Sequence, residues 1–393
     1  MSNSDGAAGG RFIYRSSISD DVWHADDAPG AYEWWYFDAA SDDGRDALVV
    51  IFLADFVFSP RFNRRAAEHR RGRAAGASSV GATGDADTVA RPTRFPAVTV
   101  CLYRDGRTLL RAVNEYEAGE FDASTVRPAC RVGRSSFHLE SSEGRNVFRV
   151  SLDEPLRGGR RLIASLAWDV SEGGLTDAGG RSSGGGVSDL FQNVSAGRAH
   201  EWNLVAPRCR VEGSLSVEGR GGAREFESGF RGTGYHDHNR DGRWLPETVG
   251  AWHWGRAHFA GSAAVFYSYR ERGARETFTR LFLVRGGALA SEPARLAERG
   301  TRRNLFGLRY ARELLLEGEE TRARLSVRQS RVVDASFFYL RFLGEVTLED
   351  GSGPPRTAPA ITELLAPRAL RWRWLDWLTD MRIGRNGRSA LLK

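Results

Sequence analysis

The sequence predicts an all-β protein whose antiparallel meanders close into barrels or sandwiches, with one short helix near the C-terminus. Three observations predict it. Short runs with period-2 alternation, or rich in aromatic and β-branched residues, recur along the 393 residues. Gly, Asp, Asn or Pro bounds each run. Helical periodicity is scarce before the C-terminal segment. The length suits about two domains of ~150–200 residues.

In chain order, strands are expected at Ala47–Phe58, Ala97–Tyr103, Asn146–Leu152, Arg161–Val170 and Arg208–Val217, then at Ala263–Tyr269, Thr277–Val284, Arg322–Arg328 and Ser336–Leu348. Two stretches read as mobile loops: Arg64–Pro92, rich in Arg, Ala, Gly and Ser with no period, and the Gly-rich Glu172–Ser188. A proline after a polar-aromatic segment, at Val205–Pro207, places a boundary between domains 1–205 and 206–393. Beyond Pro367, Leu370, Trp374, Trp377, Leu378 and Met381 fall on one stripe of a helix over Arg368–Arg382, with Arg371, Arg373, Asp376, Asp380 and Arg382 largely on the other side. Such a helix either docks on a barrel or lies on an anionic membrane.

Charge composition excludes several chemistries. Lys393 is the only lysine among 56 basic residues. A Walker A loop, a pyridoxal phosphate Schiff base and a kinase catalytic lysine are all ruled out. A net charge of +6 is a mild bias that permits contact with an anionic membrane surface; nucleic acid is not an expected partner. Three scattered cysteines, Cys101, Cys130 and Cys209, form no disulfide framework or zinc knuckle and point to a reducing compartment. Met1–Arg11 has no apolar stretch of a signal peptide, and the longest apolar run, Ala47–Phe58, contains Asp55 and is too short to span a bilayer. The expectation is a cytoplasmic protein with peripheral contact at the inner membrane face.

Rare residues cluster. Five of eight histidines (His200, His236, His238, His253 and His258) and four of eleven tryptophans (Trp202, Trp244, Trp252 and Trp254) lie between residues 200 and 258, which marks that segment for chemistry. On a strand, residues two apart share a face. His200 therefore faces with Trp202, Trp252 with Trp254, and Tyr235 with Asp237 and Asn239, while His236 and His238 face the other way. In Glu33–Asp38, Trp34, Tyr36 and Asp38 share one face, and Glu33, Trp35 and Phe37 the other. Ionisable groups alternating with large aromatics describe a deep aromatic cavity with few polar groups. Aromatic strands are more often simply core. A metal site from His236, Asp237 and His238 is disfavoured, because Asp237 faces away and a third ligand would have to come from His253 or His258. The glycines at 184–186 neither follow a Rossmann strand nor open a helix, and no Gly-x-Ser-x-Gly elbow is present.

These residues carry a resemblance. Glu-Trp-Trp-Tyr-Phe-Asp (33–38), Phe-Ser-Pro (58–60), His-x-Trp (200–202) with Ala-Pro (206–207), and Gly-x-Gly-Tyr-x-Asp-x-Asn (232–239) resemble the carotenoid 1,2-hydratases, or hydroxyneurosporene synthases, over roughly residues 30–285. Relatives of that family include lipocalin-like pericyclases (Diels–Alderases) of natural-product pathways. The resemblance implies two packed lipocalin-like β-barrels, a ligand cavity, and no cofactor or metal. It also implies a catalytic set of His200, Trp202, Tyr235 and Asp237. From the aromatic alternation itself, Trp34, Trp35, Tyr36, Asp38, Asn239, Trp252 and Trp254 are expected around the substrate, a hydrophobic polyene or terpenoid. The chain departs from the family at His236 and His238, in the Arg64–Pro92 insertion and in the C-terminal tail.

Hydrating an electron-rich alkene needs an acid that stays protonated near pH 7. For Asp237 that means a rise of some three pH units from about 3.9, worth about 4 kcal/mol, which burial among Trp and Tyr can supply. Aromatic faces stabilise a cation by roughly 0.5–2 kcal/mol each, and a neutral His200 would take a proton from water. Two other functions fit the same residues: a pericyclase that folds a polyene by shape, and a non-catalytic carrier. An Asp and a His set among aromatics favour catalysis.

Overall fold

The computed structural model describes residues 12–74, 94–170, 199–385 and 390–391. The Gly-rich stretch Glu172–Ser188 and residues 75–92 of the other expected loop lie outside them. Twelve strands build the first sheet: β1 (Phe12–Arg15), β2 (Tyr32–Ser41), β3 (Asp46–Leu53), β4 (Ala97–Arg104), β5 (Arg107–Glu115), β6 (Phe121–Ala123), β7 (Ala129–Val132), β8 (Ser135–Ser142), β9 (Arg145–Leu156), β10 (Arg160–Asp169), β11 (His200–Glu218) and β12 (Arg224–Asp241). Eight more close a barrel: β13 (Val249–Phe259), β14 (Ser262–Glu271), β15 (Phe278–Arg285) and β16 (Ala288–Arg299), then, after the small β17 (Arg302–Arg303) and β18 (Arg309–Tyr310) hairpin, β19 (Glu313–Gly318), β20 (Arg324–Ala335), β21 (Tyr339–Glu349) and β22 (Arg356–Leu365). A last strand, β23 (Gly384–Arg385), returns to the first sheet beside β5.

The first sheet runs β23-β5-β4-β3-β2-β12-β11-β10-β9-β8-β7-β6, with β1 parallel to β11. It curls until β5 meets β9, where Asn114 and Tyr116 both donate to the Glu154 carboxylate at 2.6 and 2.8 Å. The barrel closes because β22 pairs with β13. The mainly β, lipocalin-like expectation and the short C-terminal helix both hold.

Three corrections have physical reasons. β11 passes through 205/206 without a break; the chain leaves the first sheet for the barrel between Asp241 and Val249 and returns to it with β23. Val205–Pro207 is a bulge, where register shifts accommodate a proline that cannot donate to the ladder. Residues 64–74, expected as loop, belong to α1 (Pro60–Ala74), which buries Phe62, Asn63 and Ala66 and has proline at its start. The terminal helix is broken into two 3₁₀ turns, Pro367–Arg371 and Arg373–Leu375, and α2 (Asp376–Asp380). Leu370 and Leu375 turn inward while Trp372, Trp374 and Trp377 are exposed, so no single stripe forms.

Strand alternation separates the apolar clusters. Trp35, Phe37, Phe52, Phe137, Phe148 and Trp168 pack on one face of the first sheet. Phe266, Leu281, Leu314 and Leu325 pack within the barrel. The opposite face of β2, β11 and β12 joins the barrel's β13 and β14 through Trp34, Tyr36, Trp202, Tyr235, Trp252, Trp254 and Tyr267. Both faces of β2 are therefore covered, and Tyr32 through Ala39 are all buried.

The Gly-x-Gly before Tyr235 has a packing cause. A Cβ on Gly232 would lie 2.0 Å from the Ala40 carbonyl oxygen, and one on Gly234 2.4 Å from Val211 and 2.6 Å from Trp168 Nε1. The Trp168 indole crosses Gly234 to donate to the Asp38 carbonyl at 3.0 Å.

Candidate active site

Strand register assembles the site. Tyr235 lies opposite Asp38, Asp237 opposite Tyr36 and Asn239 opposite Trp34 across β2 and β12, while Trp202 of β11 lies opposite Asn239. Directly opposed residues share a face, so one sheet face carries Trp34, Tyr36, Asp38, Tyr235, Asp237, Asn239, Trp202 and His200. The barrel presents Trp252, Trp254, Tyr267 and Tyr269 to it.

Asp237 is the centre. Its Oδ2 accepts from Trp202 Nε1 at 2.9 Å and from the Tyr235 hydroxyl at 2.6 Å, and its Oδ1 accepts from Asn239 at 2.8 Å. The Tyr235 oxygen in turn accepts from Trp254 Nε1 at 3.1 Å. Burial pushes the Asp237 carboxyl up to about 7, against the opposing effect of hydrogen bonds from Trp202 and Tyr235. Among the described residues, no cation is a direct partner of this carboxyl. A carboxyl in this state holds a proton in a sizeable fraction of molecules at neutral pH.

His200 sits between two phenols, with Nδ1 3.1 Å from the Tyr32 hydroxyl and Nε2 2.7 Å from that of Tyr267. It stacks on Trp252 and Tyr269. Burial, with a smaller push from Arg243, lowers it to about 3, so the ring is neutral. Asp38 does something else: its carboxylate pairs with Arg256, whose Nε lies 2.8 Å away, and this buried ion pair ties the sheet to the barrel.

The other face of the same strands holds a second polar set. His236 stacks on Phe37 and pairs with Asp21 at 2.9 Å. His238 stacks on Trp35 and lies 2.9 Å from Glu33 and 3.2 Å from Asp21. Trp35, expected at the substrate, therefore packs in the first sheet's core, because a residue one position from Trp34 points to the opposite face. His24, Glu33 and His238 bring ligand-type atoms within 4.8 Å of one another, a set able to approach a metal; here they hydrogen-bond among themselves. His253 pairs with Glu298, and His258 bonds Thr233 and the Pro207 carbonyl, so neither joins them.

A cavity of about 320 Å³ lies between sheet and barrel. Trp34, Tyr36 and Trp252 line it; Asp237, Tyr235, Trp202, His200 and Trp254 do not, and sit behind that wall. Sequence reasoning missed the rest of its lining, notably Arg111, Asp334, Arg341 and Glu363. Tyr36 donates to Glu363 at 3.1 Å and Arg341 Nε at 2.8 Å. The available signal was an acid inside the apolar run of β22, where Glu363 is buried. A broader depression lined by Tyr116, Arg134, Asp153 and Arg160 includes none of the candidate residues.

The sequence profile of the carotenoid hydratase CrtC family matches residues 184–391, just over half of the chain. The chain belongs to the carotenoid hydratase family. Among relatives, it is 27% identical over 380 residues to the hydroxyneurosporene dehydrogenase of Chlorobaculum tepidum, covering 94% of this chain and 92% of that one. It is 26% identical to the acyclic carotenoid 1,2-hydratase of Rubrivivax gelatinosus over 62% of this chain, an alignment that spans about half (49%) of that protein's length. Two solved structures share the fold at 14% identity: an AttH-type protein of Nitrosomonas europaea, with a TM-score of 0.55 over 88% of this chain and 95% of that one, and CghA, with 0.52 over 91% and 97%. As a carotenoid hydratase family member, the protein is an enzyme of hydratase-like function, and the family implies a hydrophobic, carotenoid-type substrate. Among the described residues, no helix is long and apolar enough to cross a membrane.

Proposed function

We propose that this enzyme adds water across an alkene of a carotenoid or terpenoid without a cofactor, with Asp237 as proton donor. One observation carries the reading: a buried carboxyl raised to about 7 and bonded directly only by neutral donors. Once side-chain movement in the wall of Trp34, Tyr36 and Trp252 brings the substrate to Asp237, the Asp237 proton passes to one alkene carbon, leaving a tertiary cation on the other and a carboxylate on Asp237. Trp34, Tyr36 and Trp252 line the cavity with π-faces that stabilise such a cation. Water then bonds to the cation, and its proton returns to Asp237 directly or through neutral His200, restoring the enzyme. Turnover in deuterated water tests this. One carbon-bound deuterium per product supports proton-initiated hydration, while an isomerised product without deuterium contradicts it.

A second reading has its own observation. Asp237 and its partners lie behind the cavity wall, and the wall itself is mainly aromatic and aliphatic. A cyclase that folds a polyene by shape alone would need nothing more. It would keep its activity when Asp237 becomes Asn.

Substrate delivery fits the C-terminal segment. Leu378, Thr379, Arg382 and Ile383 line the cavity, while Trp372, Trp374 and Trp377 of the same segment are exposed beside Arg371 and Arg373. Interfacial tryptophan and arginine favour an anionic bilayer surface, in which a carotenoid-type substrate dissolves. The Trp372→Ser/Trp374→Ser/Trp377→Ser variant should lose sedimentation with anionic liposomes at low salt. Equal binding by both proteins, or by neither, removes the membrane role.

A further inference from the structure

One end of the cavity is charged, although a hydrocarbon substrate has no use for charge. Arg111, Arg341 and Arg382 line it together with Asp334 and Glu363, three guanidinium groups against two carboxylates. Arg111 and Arg382 share Asp334 at 3.1 and 3.0 Å. Arg341 donates to Glu363 at 2.8 Å and to the Tyr103 hydroxyl at 3.0 Å. The carboxylates are thus used up, and one positive charge remains in surplus.

Among the described residues, two buried polar atoms of the lining have no partner: the Tyr339 hydroxyl and Arg111 Nε. Buried donors left unpaired are costly and uncommon. Both are donors, and both belong to the positively charged end. The remaining wall is mainly apolar, with Trp34, Ile51, Phe58, Trp252 and Phe338. A ligand that satisfies this arrangement is amphipathic, with a chain for the apolar wall and an acceptor oxygen for Tyr339 and Arg111.

We propose that the cavity selects a terpenoid or polyene bearing a terminal carboxylate or carbonyl oxygen, which is held by Tyr339 Oη and Arg111 Nε while the hydrocarbon lies along the aromatic wall. The proposal rests on reading this cavity as the substrate site. It narrows the substrate from a plain hydrocarbon to an oxygenated one, and it makes Tyr339 and Arg111 specificity-determining residues. The volume of about 320 Å³ lies at the lower end of the ~300–1,000 Å³ usual for small-molecule sites, which suits a short chain or the oxygenated end of a long one.

A matched series tests it: farnesoic acid, farnesol and β-farnesene, titrated into the full-length protein and followed by quenching of tryptophan fluorescence. The acid should bind at least about tenfold more tightly than the hydrocarbon, a difference of about 1.4 kcal/mol. Tyr339→Phe removes a hydroxyl with no protein partner and should fold normally. It should lower acid affinity several-fold and leave β-farnesene unchanged. Arg111→Gln should act in the same direction, and thermal melts report whether either variant is folded. Equal affinity across the series, binding of none of the three, or an unchanged acid preference in folded Tyr339→Phe overturns the proposal. Asp237→Asn should keep the acid preference, so a protein that prefers the acid yet incorporates no deuterium fails as a hydratase while this selectivity stands.

Discussion

The two faces of β2 and β12 carry carboxyl groups of equal burial and opposite character. Asp237, on the face toward the barrel, and Glu33, on the face toward the first sheet's core, are each 4% exposed. Burial raises both. Asp237 ends at about 7, while hydrogen bonds from His238 and His24 outweigh burial at Glu33 and hold it at about 2. His238 answers in kind: burial would lower it, but the hydrogen bonds it donates to Asp21 and Glu33 raise it to about 9. Burial alone therefore does not decide protonation; the charge of the hydrogen-bond donor does. Neutral indole, phenol and amide leave an acid able to give up a proton. A histidinium partner fixes a permanent ion pair.

Changes to either face should separate the two roles. The largest effect is expected from Asp237→Asn, which keeps the shape and removes the acid. Turnover, followed by product chromatography, should fall by about 10²–10⁴-fold, with a melting temperature close to wild type. His238→Gln should do the reverse. It leaves Glu33 and Asp21 buried without their cation and should lower unfolding free energy in urea by about 3–5 kcal/mol, while any folded fraction keeps the wild-type pH profile of activity.

The pH dependence of stability should differ in sign between the faces. The folded Asp237 pKa lies above its unfolded value, so its contribution is complete below about pH 4 and is lost as pH rises through about 7. The stability difference between wild type and Asp237→Asn should therefore shrink over that window, by up to about 4 kcal/mol. The Glu33 contribution is present above about pH 4.5 and is lost only as pH falls through about 2, and that of His238 is lost as pH rises through about 9. A smaller effect is expected of Gly234→Ala, which forces a methyl against Val211 and Trp168 on the histidine side. It should destabilise by about 1–3 kcal/mol in a denaturant titration and leave the activity–pH midpoint in place. Smallest is Tyr36→Phe, which removes one sheet-to-barrel hydrogen bond to Glu363 and should cost about 0.5–1.5 kcal/mol in the same titration.

The face comparison was largely legible in the sequence, because strand periodicity is local. It alone separates Trp34, Tyr36, Asp237 and Asn239 from Trp35, His236 and His238. Partners distant in sequence were not legible. Nothing near Asp38 marks Arg256 as its counterion, and nothing near Tyr36 marks Glu363, 327 residues away. Proline at 207 signals a break in a ladder, and a bulge satisfies that signal as well as a linker does. The C-terminal stripe failed because tertiary contacts of Leu370 and Leu375 override helical periodicity. That the cavity lies between the units, with Asp237 behind its wall, depends on how two curved sheets meet, which no single strand records.

The protonation state of Asp237 can be measured directly. Carboxyl carbon NMR of protein labelled with ¹³C-aspartate, titrated from pH 4 to 9 and compared with Asp237→Asn, assigns one resonance to this group. A midpoint near 7 is expected for that resonance, with the carboxyl largely protonated at pH 6. A midpoint below 5 would show an ordinary buried carboxylate held by its three donors, and Asp237 would not be the acid.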